Sequence, residues 1–194
     1  MNAQEINASS VNTRVIHGVF MEISGKGVLL KGPSGVGKSE TALGLIDRGH
    51  SLVADDIVVF ERKAEDRIVG TCPESLCDFI EIRGLGVFNI RRLFGDAALK
   101  KMMPLDLILN FLPMTKLEFE AVNRFQGLKN FQHILDLTFP EITIPILPER
   151  TNLPLLVEFS VKNHLTVQDG YDAGNDFLRR QDFKQLPDMN YEQR

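Results

Sequence analysis

Apolar residues recur from Val15 onward in short runs broken by turn residues. Arg14-Val15-Ile16-His17-Gly18-Val19-Phe20-Met21-Glu22-Ile23 is β-rich and partly alternating, which predicts a strand over 13–23. Ser24-Gly25-Lys26-Gly27 is a turn, and Val28-Leu29-Leu30 a short buried strand. A glycine-rich loop follows over 32–37. Ala42, Leu43, Leu45 and Ile46 then stand at helical spacing from Ser39 to Arg48, with Gly49 where a left-handed helix stop belongs. Ser51-Leu52-Val53-Ala54 is a buried strand ending at Asp55-Asp56.

Ile57–Phe60 and Arg67–Val69 predict a hairpin around the charged segment 61–66. Phe79-Ile80-Glu81-Ile82 is strand-like and runs into Arg83-Gly84-Leu85-Gly86, with a short helix expected over 89–94. Leu105–Leu112 is apolar enough for a central strand; 142–146 and 155–161 are expected as late strands. A C-terminal helix is expected over 172–185, with Ala173, Phe177 and Leu178 inward. No internal repeat is present. Strands outnumber helices, yet a strand–loop–helix–strand unit sits near the start, which favours a mixed α/β (α+β) domain over a plain doubly wound sheet.

The loop carries the first chemistry. Gly32-Pro33-Ser34-Gly35-Val36-Gly37-Lys38-Ser39 fits G-x-x-x-x-G-K-[ST] at every fixed position. Glycines let successive backbone N–H groups converge on phosphate oxygens, and the helix that begins here adds its own free N–H groups and dipole. Lys38 can neutralise a transferring phosphate, and the Ser39 hydroxyl can ligate Mg²⁺. Asp55 and Asp56 end a strand expected to lie beside that of the loop, where a carboxylate can hold Mg²⁺ or take a proton from an attacking hydroxyl. Strand alternation would turn one Asp to the site and the other away, and neighbouring carboxylates raise each other's pKa. Glu81 and Arg83 share strand parity, so a metal-binding carboxylate can sit beside a phosphate-binding guanidinium.

Composition narrows the classes. The chain has 194 residues, 22 Lys+Arg, 26 Asp+Glu and a formal net charge of −4, which argues against a general nucleic-acid binder. No apolar run reaches the length of a membrane span. The polar residues 1–13 carry no secretory-signal pattern and are expected as a flexible lead. Cys72 and Cys77 have no metal-ligand company and are expected as ordinary thiols of a reducing compartment. His50 suits the C-terminal end of the loop helix as a structural cation; His133 and His164 have no neighbours that suggest chemistry. The basic pairs Arg91-Arg92, Lys100-Lys101 and Arg179-Arg180 are expected as solvated charges, or as contacts to phosphorylated protein or another subunit.

Three blocks together resemble the bacterial HPr kinase/phosphorylase family: the loop and its helix start over 32–43, Arg48-Gly49-His50-Ser51-Leu52-Val53-Ala54-Asp55-Asp56, and Glu81-Ile82-Arg83-Gly84-Leu85-Gly86-Val87-Phe88-Asn89-Ile90 followed by Leu93-Phe94-Gly95. Arg14–Val19 and Ile142–Pro145 match in order, so the similarity spans about residues 14 to 178. The resemblance implies a cytoplasmic homohexamer that phosphorylates a serine of the carrier protein HPr, or a paralogue, using ATP or pyrophosphate. It also implies phosphorolysis, in which inorganic phosphate removes the phosphoryl group as pyrophosphate. The implied fold is a P-loop kinase domain resembling the nucleotide-binding core of phosphoenolpyruvate carboxykinase, over 14–194 and without the family's usual N-terminal domain.

By position, the resemblance makes Lys38 the phosphate-loop lysine, Ser39 and Glu81 the Mg²⁺ ligands, and Asp55 the group that takes and returns the serine proton. His17 matches a histidine near the phosphate, Arg124 an arginine on the transferring phosphoryl group, and Pro145, Ile146, Leu147, Pro148, Glu149 and Arg150 a loop tied to phosphorolysis. The family's usual Pro-Gly-Arg-Asn reads Pro148-Glu149-Arg150-Thr151-Asn152 here. Loss of the glycine removes easy access to positive φ and brings a negative charge near a phosphate site, which weighs on phosphorolysis more than on phosphorylation. The residues leave two other readings: a carboxykinase-like small-molecule kinase, and a nucleotide-sensing module without transfer. Intact Asp55 and Glu81 argue against the second.

Overall fold

The computed structural model describes residues 12–123, 125–148 and 152–182. The strand expected over 13–23 is two strands, β1 (Thr13–His17) and β2 (Val19–Ile23), which join different sheets. Gly18 makes the crossing: a Cβ there would stand 2.7 Å from the Leu30 carbonyl oxygen, so only glycine fits. β3 (Lys26–Lys31) leads into the glycine-rich loop and helix α1 (Lys38–Asp47), which Gly49 ends in the left-handed region (φ 92°), as expected. Next come β4 (Ser51–Ala54), the hairpin β5 (Ile57–Ala64) and β6 (Arg67–Thr71), and the smaller hairpin β7 (Phe79–Ile82) and β8 (Gly86–Asn89). Asn89 caps the short helix α2 (Ile90–Phe94) by accepting from the Arg92 N–H.

β9 (Met102–Pro104) and the central β10 (Leu107–Pro113) follow, then α3 (Lys116–Glu120), begun by a Thr115–Glu118 capping box. The chain then forms β11 (Leu128–Ile134), β12 (Leu137–Ile146), α4 (Leu153–Gln168) and α5 (Ala173–Asp182).

The middle layer is a six-stranded sheet in the order β11-β12-β10-β3-β2-β4, with β3, β10 and β12 parallel and β2 and β11 antiparallel to their neighbours. Alternation divides its side chains between two cores. Val28, Leu30, Leu107, Leu109 and Phe111 face α1 and α4, packing with Leu45, Val157 and Val161. Phe20, Leu29 and Ile108 face the second sheet, β1-β5-β6-β9, packing with Val58, Phe60 and Ile68. The result is three layers: helices, mixed sheet, antiparallel sheet. This is the mixed α/β architecture expected.

Two expectations are corrected here. The segment 155–161 is not a strand but the middle of α4. Leu153, Val157, Val161 and Leu165 recur every fourth residue and pack on the core, Pro154 sits in the first turn, and Phe159 stays exposed. In α5, Phe177 is 45 % exposed and stacks on Phe125 at 5.4 Å between centroids, so it does not point inward. The cysteines are free, and burial pushes the Cys72 thiol up to about 12, as suits an unreactive pair. Glu158 of α4 binds both Arg48 and His50 (Nε2 to Oε1, 3.0 Å), which gives His50 a structural role. Arg91 pairs with Asp78 and Asp96, and Arg180 with Asp176, at the surface.

Candidate active site

The loop of residues 32–37 leaves the end of β3 and delivers Lys38 and Ser39 to the first turn of α1. Lys38 is buried, and its Nζ donates to the carbonyl oxygens of Gly32 (3.0 Å) and Pro33 (2.9 Å). Burial lowers its pKa, while Asp55, Asp56 and Glu40 pull it back up. Arg83 reaches over the loop: a Cβ on Gly35 would stand 3.1 Å from its Nη1, so the glycine is what admits the guanidinium. Val36 turns the other way and packs on the core.

β4 is separated from β3 by β2, not adjacent to it as expected, yet its end still reaches the loop. Asp55, just beyond β4, is only 7 % exposed. Its Oδ1 accepts from the Ser39 hydroxyl (2.9 Å) and its Oδ2 from the Glu81 backbone N–H (3.2 Å). Burial pushes the carboxyl up from its ordinary value; the two hydrogen bonds work against that, and the charge of Asp56 adds a smaller upward push. The expected mutual elevation of neighbouring carboxylates is therefore secondary to desolvation.

Asp56 does not turn away. β4 ends at Ala54, so alternation no longer governs these two residues. The Ile57 N–H donates to the Asp55 carbonyl (2.9 Å) across Asp56, whose φ is 70°. That is a γ-turn with a left-handed centre, a conformation costing on the order of 1–3 kcal/mol. It brings both carboxylates to one cleft. His17, at the end of β1, places Nδ1 2.9 Å from Asp56 Oδ1, and the Gly18 N–H donates to the Asp56 carbonyl (3.0 Å).

The cleft has a volume of about 210 Å³. Its floor is Ser34, Gly35, Gly37, Lys38 and Ser39, and its walls are His17, Val19, Glu40, Asp55, Asp56, Glu81 and Arg83. Four carboxylates thus face two permanent cations. A phosphate chain entering here meets a surplus of negative charge that a divalent cation would offset. The hydroxyl of Ser39 and the carboxylate of Glu81 are hard oxygen donors suited to Mg²⁺. Among the described residues no group of three His, Cys, Asp or Glu stands together as a metal site of its own.

The family model for the HPr Serine kinase C-terminal domain matches residues 9–181. The chain belongs to this family. It is 47 % identical over 167 residues to the HPr kinase/phosphorylase of Stenotrophomonas maltophilia, covering 86 % of this chain and 52 % of that protein. It is 46 % identical over 166 residues to the Xylella fastidiosa enzyme of the same name, covering 85 % and 52 %. The chain therefore spans about half the length of the curated relatives it matches. The solved Hpr(Ser) kinase/phosphatase from Coxiella burnetii superposes with a TM-score of 0.72 at 33 % identity, covering 80 % of this chain and 99 % of that one. The fold is the P-loop kinase fold of the HPr kinases.

Within this family frame, His17, Lys38, Ser39, Asp55, Glu81 and Arg83 share the one cleft. Pro145 and Ile146 end β12, and Leu147 and Pro148 follow; these four are not among its lining residues. They leave the sheet at the same end as the loop, the C-terminal end of β3, because β12, β10 and β3 run parallel. Arg124, Glu149 and Arg150 lie outside the described residues. Glu40 and Asp56 are cleft residues that the sequence reading did not assign. Glu40 was discoverable, standing next to Ser39 in the first helical turn; Asp56 was hidden by the alternation rule. No helix among the described residues is long and apolar enough to cross a membrane.

Proposed function

We propose that the chain phosphorylates a serine of HPr, or of an HPr-like carrier, from ATP or pyrophosphate, and reverses the reaction with inorganic phosphate. The observation that carries this is Asp55: a buried carboxyl with a raised pKa, fixed by Ser39 and the Glu81 N–H at the mouth of a phosphate loop. Backbone N–H groups of the loop and of the α1 N-terminus hold the donor phosphates. Lys38 exchanges its two carbonyl partners for phosphate oxygens, and Arg83 meets the phosphoryl group from above Gly35. Ser39 and Glu81 would hold Mg²⁺, which, when bound, neutralises developing charge on the phosphates. Asp55 takes the proton of the attacking serine; its raised pKa makes it a stronger base than an ordinary carboxylate, and microscopic reversibility makes it the acid in phosphorolysis.

By resemblance, Arg124 and the loop 145–150 would complete this reading; of the described residues nearby, Leu153 of α4 packs against Gly37. In the same reading the protein works as a cytoplasmic homohexamer. The exposed Leu85, Val87 and Leu93 are surface that a subunit contact would cover. The test is incubation with candidate carriers, ATP or pyrophosphate and Mg²⁺, followed by intact-mass measurement. Serine-linked gain of one phosphoryl group is expected, reversed by phosphate with release of pyrophosphate. Lys38→Ala should lose about a thousandfold in both directions. Absence of gain with every carrier and donor, or full activity of the variant, refutes the proposal.

A further inference from the structure

We infer that the groove between α3, the turn that follows it, the start of β11 and the end of β12 is the subsite for the nucleoside of a nucleotide donor, with the purine base seated on its apolar wall. The inference rests on transfer from ATP as proposed above, and it names where the part of ATP that pyrophosphate lacks is held. The phosphate cleft offers no surface for a base: among its described lining residues Val19 is the one apolar side chain. The groove is larger, about 600 Å³ against about 210 Å³. Phe119, Val122, Leu128 and Pro145 make its walls apolar, and Asn123 and Thr143 set amide and hydroxyl groups among them. A concave apolar surface with a few polar groups is what a flat heteroaromatic ring requires.

The direction of the donor follows from the place of its reacting end. In the proposed reaction the transferring phosphoryl group meets Asp55, beyond β4, and β2 lies between β4 and the strand of the loop. The leaving end therefore points the opposite way, across β10 toward β12. On that path the loop lies directly against β10: a Cβ on Gly32 would stand 2.6 Å from the Phe111 carbonyl oxygen. Leu112, the next residue, pairs with Pro145 at the groove. From β3 to β12 is two strand spacings, about 10 Å, a gap for the α-phosphate and ribose to bridge. The three strands run parallel and end on this side, where open α/β sheets carry their ligands. The groove is also built in advance. A capping box starts α3, Gly127 turns the chain at φ 63°, and Asn123 Oδ1 accepts from the N–H groups of Phe125 (2.9 Å) and Gln126 (3.1 Å). With Oδ1 so engaged, the Asn123 amide offers its N–H groups, which suit a ring nitrogen of the base. Glu120, also on the lining, is an acceptor for an exocyclic amine.

The test compares ATP with inorganic triphosphate, which has the same phosphate chain and no nucleoside. Calorimetric titrations in the presence of Mg²⁺ should show ATP bound about tenfold more tightly than triphosphate by the native chain. Val122→Trp, which fills the groove, should bring that ratio down to about one. Both ligands are titrated into the same preparation, so a general loss of folded chain does not imitate a change in the ratio. A second measurement needs no variant. ATP carrying a photoreactive azide on its base, irradiated on the native chain, should label peptides from 119–128 or 143–145. Equal affinity of the native chain for ATP and triphosphate, a ratio that Val122→Trp leaves intact, or label confined to other peptides would overturn the inference. A chain that shows the ratio and the label yet phosphorylates no carrier would refute the proposed substrate and leave the groove standing. Phosphorylation of a carrier from ATP with the label elsewhere would refute the groove alone.

Discussion

Asp55 combines two properties that oppose each other in stability and cooperate in chemistry. Its folded pKa is raised, so between the ordinary value of 3.8 and the folded value the native chain binds more protons than the unfolded one. Stability contributed by this group is therefore complete at acid pH and falls as pH rises through that window. Asp55→Asn removes the buried charge, and its amide can donate to Ser39 Oγ while its oxygen accepts from the Glu81 N–H. We expect the variant to lose a hundredfold or more in transfer, to melt above the native chain at neutral pH, and to match it at low pH. Thermal scans across pH beside phosphoryl-transfer kinetics check both halves. Equal melting at all pH values would show that burial of Asp55 costs the fold nothing. The phosphate loop was legible because each residue type in it is demanded by a separate physical need. Asp56 was not, because one γ-turn past the end of β4 cancels the period-two rule, and no residue type announces such a turn.

Elements were legible where an apolar pattern marks them, alternating in β7, with Ile80 and Ile82 buried, or continuous in β4, with all four residues buried, and obscure where the pattern is missing or too dense to separate strand from helix. β11 was missed because it is an edge strand with Lys129, Asn130, Phe131 and His133 exposed, so no apolar alternation marks it. Its hairpin turn uses Leu135 and Asp136, at φ 48° and 62°, in place of the Asn-Gly or Asp-Gly pair that would signal a hairpin. In α4 the run Leu155-Leu156-Val157-Glu158-Phe159-Ser160-Val161 is densely apolar and reads as a strand in a short window; the four-residue spacing of its buried side chains shows only over a longer one. The acidic residue in that run, Glu158, is the informative one. Burial pushes the Glu158 carboxyl up, but hydrogen bonds from His50 and Arg48 more than reverse this and hold it below the ordinary 4.5. Its stabilisation is full above that value and is lost as pH falls through the folded pKa. Glu158→Gln should cost about 1–3 kcal/mol at neutral pH, with the difference from the native chain shrinking below pH 4.5. Denaturant titrations at both ends of the range read it; a difference that does not depend on pH would contradict the charge-based account.

At the scale of the molecule, the layered class followed from the mixture of strands and one strand–loop–helix unit, while the division of 13–23 between two sheets did not. Nothing in a continuous β-rich run says that Gly18 sends its halves to different layers. The seam between the layers is apolar, with Phe20 of β2 meeting Phe60 of β5 edge-on at 5.2 Å between centroids. Phe60→Ala should cost about 3–5 kcal/mol, read as a lower denaturant midpoint; a loss under 1 kcal/mol would mean that the sheets are held together elsewhere. The same division has a mechanical side. One jaw of the cleft, His17, rides on β1, an edge strand tied along its length only to β5. The other jaw, the phosphate loop with Asp55, is anchored in the middle layer. An anion gripped by both jaws is then a rivet through two plates that otherwise meet mainly at an apolar seam. Phosphate should slow hydrogen exchange of the β1 amides far more than those of β3, which the sheet already locks, and the ratio of the two rates becomes a gauge of how firmly the ligand clasps the molecule shut.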